Sequence, residues 1–308
     1  MSSLFQNSYY IGNNFNTILY GVELMLYSMT MIRLLDDHGT RKASKSDNFY
    51  KIFSTLLLLL ITIYVAVQAI FGEEMWIVNA DYPGGSAAYL ADYAAVWYQT
   101  MGTTASVVLN LLADGYMISR CHTVWNDLRI IVVPCVIYVA TLVMGILLLY
   151  SSGAPNGDFF TGLAVEFGLS YYSLTIGLNV IVTCLILGRI WYLSSAIHVP
   201  QRKKRVNRYA SIVIESALPY SVAGVAWLVS YGIESDIQIL FLSFYVMFTC
   251  VSPQMIVLRV VDGRGWSKDK TIQSLSALQL QNIPPAPDCE DRRSSIHNKS
   301  APSSEHGA

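Results

Sequence analysis

Residues 52–71 read Ile52-Phe-Ser-Thr-Leu-Leu-Leu-Leu-Leu-Ile-Thr-Ile-Tyr-Val-Ala-Val-Gln-Ala-Ile-Phe71. The run holds no charge and is apolar on nearly every side. It therefore lacks the in/out alternation of a barrel strand and suits a helix that crosses lipid. About 20 such residues span the hydrocarbon core.

Six further stretches of that kind lie on either side, so the sequence predicts spans at 11–32, 52–71, 93–118, 130–150, 160–187, 209–231 and 237–258. The first is the weakest, because it carries Glu23 and its start overlaps the polar run Gly12-Asn13-Asn14. The third and fifth run long, which predicts tilt or projection into water. No positive region precedes the first apolar stretch, so no secretory signal peptide is expected.

Composition agrees. Of 308 residues, 53% are hydrophobic and 13% charged, with a mean hydropathy of +0.42. A soluble domain carries about 25% charged residues, so an ordinary water-soluble fold is excluded. A net charge of -1 excludes a nucleic-acid binder driven by a global basic field. Five cysteines exclude a disulfide scaffold.

Every lysine and arginine falls in an odd-numbered connection or the tail. The first connection holds Arg33, Arg41, Lys42, Lys45 and Lys51, and the third holds Arg120 and Arg129. The fifth holds Arg189, Arg202, Lys203, Lys204, Arg205 and Arg208. The even connections carry acids instead, among them Glu73, Glu74, Asp81, Asp92, Asp158, Glu234 and Asp236. Positive charge marks cytoplasmic loops. The expected fold is an all-α, polytopic membrane bundle of seven transmembrane helices, N-terminus outside and C-terminus cytosolic. Residues 1–262 form the membrane domain. Residues 263–308 form a cytosolic tail, in which Asp262-Gly-Arg-Gly breaks the helix, a short interfacial helix follows from Trp266, and disorder is expected from Pro284 onward. The basic segment 198–208, with Arg202, Lys203, Lys204, Arg205 and Arg208, reads as a cytosolic loop that binds anionic headgroups or docks a cytosolic partner.

Ionisable residues inside a membrane are functional candidates by default. Asn110 and Asp114 are four apart, hence on one helix face. Glu23, Asn179 and Glu215 lie at comparable depth, which predicts an inner polar network of Glu23, Asn110, Asp114, Asn179 and Glu215. The alternative is that these groups only hydrogen-bond the helices together. Toward the outside, Gln99 and Glu166 sit among Trp97, Tyr171, Tyr172 and Trp227, which reads either as an aromatic ligand pocket with polar anchors or as plain packing. Pro219 and Pro253, inside the sixth and seventh spans, predict helix kinks.

Several chemistries find no support. The histidines at 38, 122, 198, 297 and 306 show no metal-ligand spacing on a span, and no Gly-x-Ser-x-Gly or phosphate loop is present. The seventh span has no lysine for a Schiff base. No metal, cofactor or enzymatic activity is expected.

Four segments carry a resemblance: Asp114-Gly-Tyr-Met-Ile-Ser-Arg-Cys-His-Thr-Val-Trp125, Leu178-Asn-Val-Ile-Val-Thr-Cys-Leu-Ile-Leu-Gly-Arg-Ile-Trp191, Glu215-Ser-Ala-Leu-Pro-Tyr220 and Ser252-Pro-Gln-Met-Ile-Val-Leu-Arg-Val-Val261. Over residues 15–268 the chain resembles a large family of uncharacterised seven-helix integral membrane proteins of mushroom-forming fungi. The resemblance implies a plasma-membrane or endomembrane location and no particular activity. The topology is also similar to that of G-protein-coupled receptors, without their acidic-Arg-aromatic triplet after the third helix. Three functions stay open: a receptor-like protein sensing a small molecule or lipid for a cytosolic partner, a proton-coupled carrier, or a ligand-free membrane scaffold.

Overall fold

The computed structural model describes residues 3–36, 45–93, 96–153, 163–196, 200–233 and 235–281. Among them there is no strand. Eight α-helices occur in order: α1 (Ser3–Asp36), α2 (Lys45–Glu73), α3 (Gly85–Tyr93), α4 (Trp97–Trp125), α5 (Leu128–Gly153), α6 (Leu163–Ala196), α7 (Pro200–Gly232) and α8 (Gln238–Gln281). The chain divides into two compact units, Met1–Asp262 and Gly263–Ala308.

Five helical stretches, all in the first unit, are long and apolar enough to cross a membrane: Leu4–Leu35, Ser46–Val78, Leu128–Gly153, Val165–Tyr192 and Gln238–Asp262. With five such helices and no strand among the described residues, the chain is a multi-pass membrane protein. In lipid every backbone N–H and C=O must be satisfied within the segment, which helices achieve and open strands do not. The long helices α4 and α7 are not among the five. For α4 the packing gives the reason. It lies against α2, α5 and α6, and it buries Ser106, Asn110 and Asp114 together with its apolar residues. A helix sheathed by others shows little surface to lipid and so tolerates polar side chains. In α7 the basic stretch occupies the first turns, and an apolar run follows it.

Cross-helix contacts set the directions. Tyr9, Tyr20 and Tyr27 of α1 pair with Gln68, Thr62 and Thr55 of α2, so the two run antiparallel. Phe53 stacks on Tyr116, and Val67 lies against Gly102, so α2 and α4 are antiparallel too. Tyr171 meets Val107, Thr175 meets Asp114, and Trp125 donates to Leu185 O, which makes α4 and α6 parallel. Gly168 lies against Tyr231 and Ile176 against Gly224, so α6 and α7 are antiparallel. Asn16 with Ser243, Thr30 with Gln254 and Arg33 with Asp262 make α1 and α8 parallel.

The connections obey local chemistry. Asn126 adopts the left-handed conformation (φ 52°) and its N–H closes on His122 O at 2.8 Å, a standard helix stop. Asp127 Oδ1 then accepts the Arg129 N–H at 3.0 Å and starts α5. Two residues suffice for that reversal, so α4 and α5 are adjacent. The seven long helices thus alternate in direction along the chain. After α2 the chain widens into a π-helical turn, Glu74–Val78, whose Glu74 O takes both the N–H and Nδ2 of Asn79 at 3.0 Å. Gly84 and Gly85 come next with φ of +92° and +76°, which a side chain would strain. They release the chain into α3, which lies beside the π-turn.

Four expectations need correction. Of the stretch 198–208, residues 200–208 are not a loop, because α7 begins at Pro200 and is helical through the basic residues; residues 198 and 199 lie outside the described residues. Proline suits the first helical position, and lysine and arginine are good helix formers. Asp262-Gly-Arg-Gly does not break α8, which runs on to Gln281. Each glycine there costs about 1 kcal/mol without forbidding the helix. The predicted third span starts four residues early, since Tyr93 closes the short helix α3. And α1 starts at Ser3, so Gly12-Asn13-Asn14 lies inside it rather than at its edge. The expected disorder from Pro284 lies outside the described residues.

Candidate functional site: two buried polar systems

The first system joins α4, α6, α7 and α8. Asp114 and Asn110 sit one turn apart on the buried side of α4, each about 1% exposed. Thr175 of α6 donates its hydroxyl to Asp114 Oδ2 at 2.8 Å, and Asn179, one turn further on, donates its Nδ2 to Asp114 Oδ1. Both carboxyl oxygens therefore have a donor. Asn110 Oδ1 accepts the Tyr245 hydroxyl of α8 at 2.9 Å, and that hydroxyl lies 3.1 Å from the Tyr220 hydroxyl of α7. Asn110 Nδ2 closes on Ser106 O at 3.2 Å. Buried polar groups are costly unless paired, and this set is paired almost throughout.

Of the five predicted network residues, the structure brings together Asn110, Asp114 and Asn179. Glu23 lies elsewhere, at the α1–α8 contact, facing the thiol of Cys250. The Glu215 side chain lies outside the described residues, as do those of Arg202, Lys203, Lys204, Arg205 and Arg208. Thr175, Tyr220 and Tyr245 are members that the sequence does not single out. For Thr175 a signal exists, since it lies one turn before Asn179.

The predicted aromatic pocket separates into two groups. Tyr171, Tyr172 and Trp227 are fully buried packing. The Tyr172 and Trp227 rings meet at 4.0 Å between centroids, and Trp227 stacks on Tyr231 at 4.7 Å. Trp97 and Glu166 are exposed at the starts of α4 and α6. These five do not enclose one cavity, and Gln99 lines a different one, beside α1. Pro219 and Pro253 lie within uninterrupted helices, as does Pro134 in α5. Each removes one backbone donor. Arg120, near the end of α4, donates to the hydroxyls of Tyr50 (2.8 Å) and Tyr116 (2.6 Å) while lying over both rings.

The second system runs along α1. Tyr9, Asn16, Glu23 and Thr30 recur every seven residues and are all buried, whereas Ile18, Met25 and Ile32 on the other side are exposed. The buried row faces α2 and α8. Near the start of α1 it opens into a cavity of ≈ 40 Å³ lined by Tyr9, Asn13, Asn16, Tyr64, Gln68 and Gln99, with Leu90, Ile239, Leu242 and Ser243. Phe5, Phe71, Met75 and Tyr89 pack with Tyr9, Leu90 and Ile239 as a separate apolar cluster at the same end. Beside them Glu74 accepts the hydroxyls of Tyr89 (3.2 Å) and Tyr98.

Compared with known families, with curated proteins and with solved structures, the chain matches none.

Proposed function

We propose that the chain is a receptor-like membrane protein with seven crossings, its N-terminus outside and its C-terminus cytosolic, which senses a small molecule or lipid and passes the change to a cytosolic partner. The confinement of lysine and arginine to alternate connections supports the orientation. The alternating directions of the seven long helices support the count, with α4 and α7 crossing as well. The resemblance to the fungal seven-helix family points the same way.

The observation that carries the receptor reading is the polar system around Asp114 and Tyr245. It ties four helices together in the buried interior, and one member, Tyr220, directly follows Pro219. Exchanging partners in such a set requires a concerted shift of helices, which is how a small change at one end reaches the other. No catalytic step is assigned to it.

A second reading, a proton-coupled carrier, draws on Glu23. It is wholly buried, with the Cys250 thiol facing its carboxyl group.

The test pairs two measurements on the full chain. Affinity capture from native membranes, with bound lipids, small molecules and cytosolic proteins identified together, should return a ligand that increases partner recruitment. The chain in liposomes should carry no proton flux. Flux abolished by Glu23→Gln, without ligand-dependent recruitment, would replace the receptor by the carrier.

A further inference from the structure

We infer that the cavity between α1, α2 and α8 is a binding site for a small monovalent cation, an alkali ion or ammonium, held by Asn13 and Asn16. The site depends on neither the receptor nor the carrier reading.

Asn16 is only 1% exposed, so each of its polar atoms needs a partner. Ser243 donates its hydroxyl proton to Ile239 O at 3.1 Å, and toward Asn16 it offers only lone pairs. Asn16 must therefore present its Nδ2 to Ser243, at 3.4 Å, and its Oδ1 is left as an acceptor without a partner. Asn13, one turn earlier, likewise has an unpartnered Oδ1, and both residues line the cavity. The Gln68 oxygen is engaged by the Tyr9 hydroxyl at 2.8 Å, which holds α1 and α2 in register beside the two asparagines. A buried carbonyl oxygen without a donor is costly. Two of them at one cavity suit a ligand that is electropositive on all sides.

The lining selects the charge of that ligand. Among the described residues no carboxylate lines the cavity, whereas calcium and magnesium sites are built on carboxylates. Neutral carbonyl and hydroxyl oxygens are the donors that replace the hydration shell of an alkali ion. Size selects further. A volume of ≈ 40 Å³ takes an ion with one or two waters. Close approach of the helices is part of the site: a Cβ on Gly12 would come within 2.8 Å of Ser243 Oγ, so the glycine lets α1 reach the serine that orients Asn16.

The purified full chain is heated in sodium, potassium, ammonium or N-methylglucamine chloride at one ionic strength. The midpoint should rise saturably with at least one of the small cations and not with N-methylglucamine. Asn16→Asp, which keeps the shape and adds a charge, should lower the half-saturating concentration by about tenfold or more, and Asn13→Ala should raise it by about tenfold or more, the effect of one hydrogen bond to a charged group. If Asn16→Asp does not fold, the wild-type salt series and Asn13→Ala decide. Equal midpoints in all four salts would overturn the assignment. So would a salt response that both variants leave unchanged.

Discussion

Replacing Thr175 by valine keeps the shape of a fully buried side chain and removes one hydroxyl, so the loss measures one interaction. The hydroxyl donates to Asp114 Oδ2 at 2.8 Å, and Asp114 itself is 1% exposed. Interhelical hydrogen bonds in membranes average about 0.6 kcal/mol and reach about 1.7. Leaving a buried acceptor unpaired costs about 1–3 kcal/mol. Asn179 remains on the other oxygen, which keeps the cost toward the lower end. Thr175→Val should therefore destabilise by about 1–2 kcal/mol. The decisive step is to repeat it in Asp114→Leu. There the threonine hydroxyl has lost its acceptor, and removing it should be neutral or slightly stabilising. The coupling then equals nearly the whole single-mutant cost. Reversible unfolding in mixed micelles with rising dodecyl sulfate, followed by circular dichroism, measures all four proteins. An equal cost of Thr175→Val in both backgrounds would refute the pairing that defines the network.

Three further outcomes concern other parts of the molecule. Tyr82, in the connection before α3, donates to Asp92 Oδ2 at 2.7 Å, and that bond pushes its pKa from 10.0 up to about 12. Its contribution is thus complete below pH 10 and lost as pH climbs through about 12; in Asp92→Asn one tyrosine should return toward 10 in an absorbance titration, and an unchanged titration would contradict the pairing. A Cβ on Gly102 would sit 2.9 Å from Cγ1 and 3.2 Å from Cβ of Val67, a stiff β-branched neighbour, whereas on Gly115 the nearest atom is 3.5 Å away. Gly102→Ala should cost about 1–3 kcal/mol and Gly115→Ala should be neutral or stabilising, with the same unfolding assay as the check. Arg33 and Asp262 form an ion pair at 3.3 Å with side chains 64% and 42% exposed. Asp262→Asn should cost less than about 1 kcal/mol and nothing in high salt, measured by that same unfolding.

The long helices are legible in the sequence because each must bury or expose an apolar surface over its whole length, which composition alone reveals. The Leu56–Leu60 run decides α2 in this way. Charge misleads where helix and loop share a composition: Arg202–Arg205 looks like a solvated loop, yet the same residues favour a helix once Pro200 has started it. Asn110, Asp114 and Asn179 can be placed by depth, since polar residues in an apolar span are conspicuous. Their partners cannot, because Tyr220 and Tyr245 are ordinary aromatics until the pairing of α7 with α8 is known. The cavity is hidden for a related reason. Asn13 and Asn14 weaken the first span and read as its edge. The seven-residue recurrence of Tyr9, Asn16, Glu23 and Thr30 is present in the sequence and marks α1 as a helix with one polar buried side. Which neighbour that side faces is a matter of tertiary pairing.

The seven proposed crossings would put alternate connections on opposite sides of the membrane. Accessibility of small tags inserted at residue 1, near residue 205 and near residue 300 tests this directly. The tag at residue 1 should react in intact cells, and the tags near 205 and 300 only after permeabilisation. Finding the segments near 205 and 300 on opposite faces would contradict the seven-crossing topology.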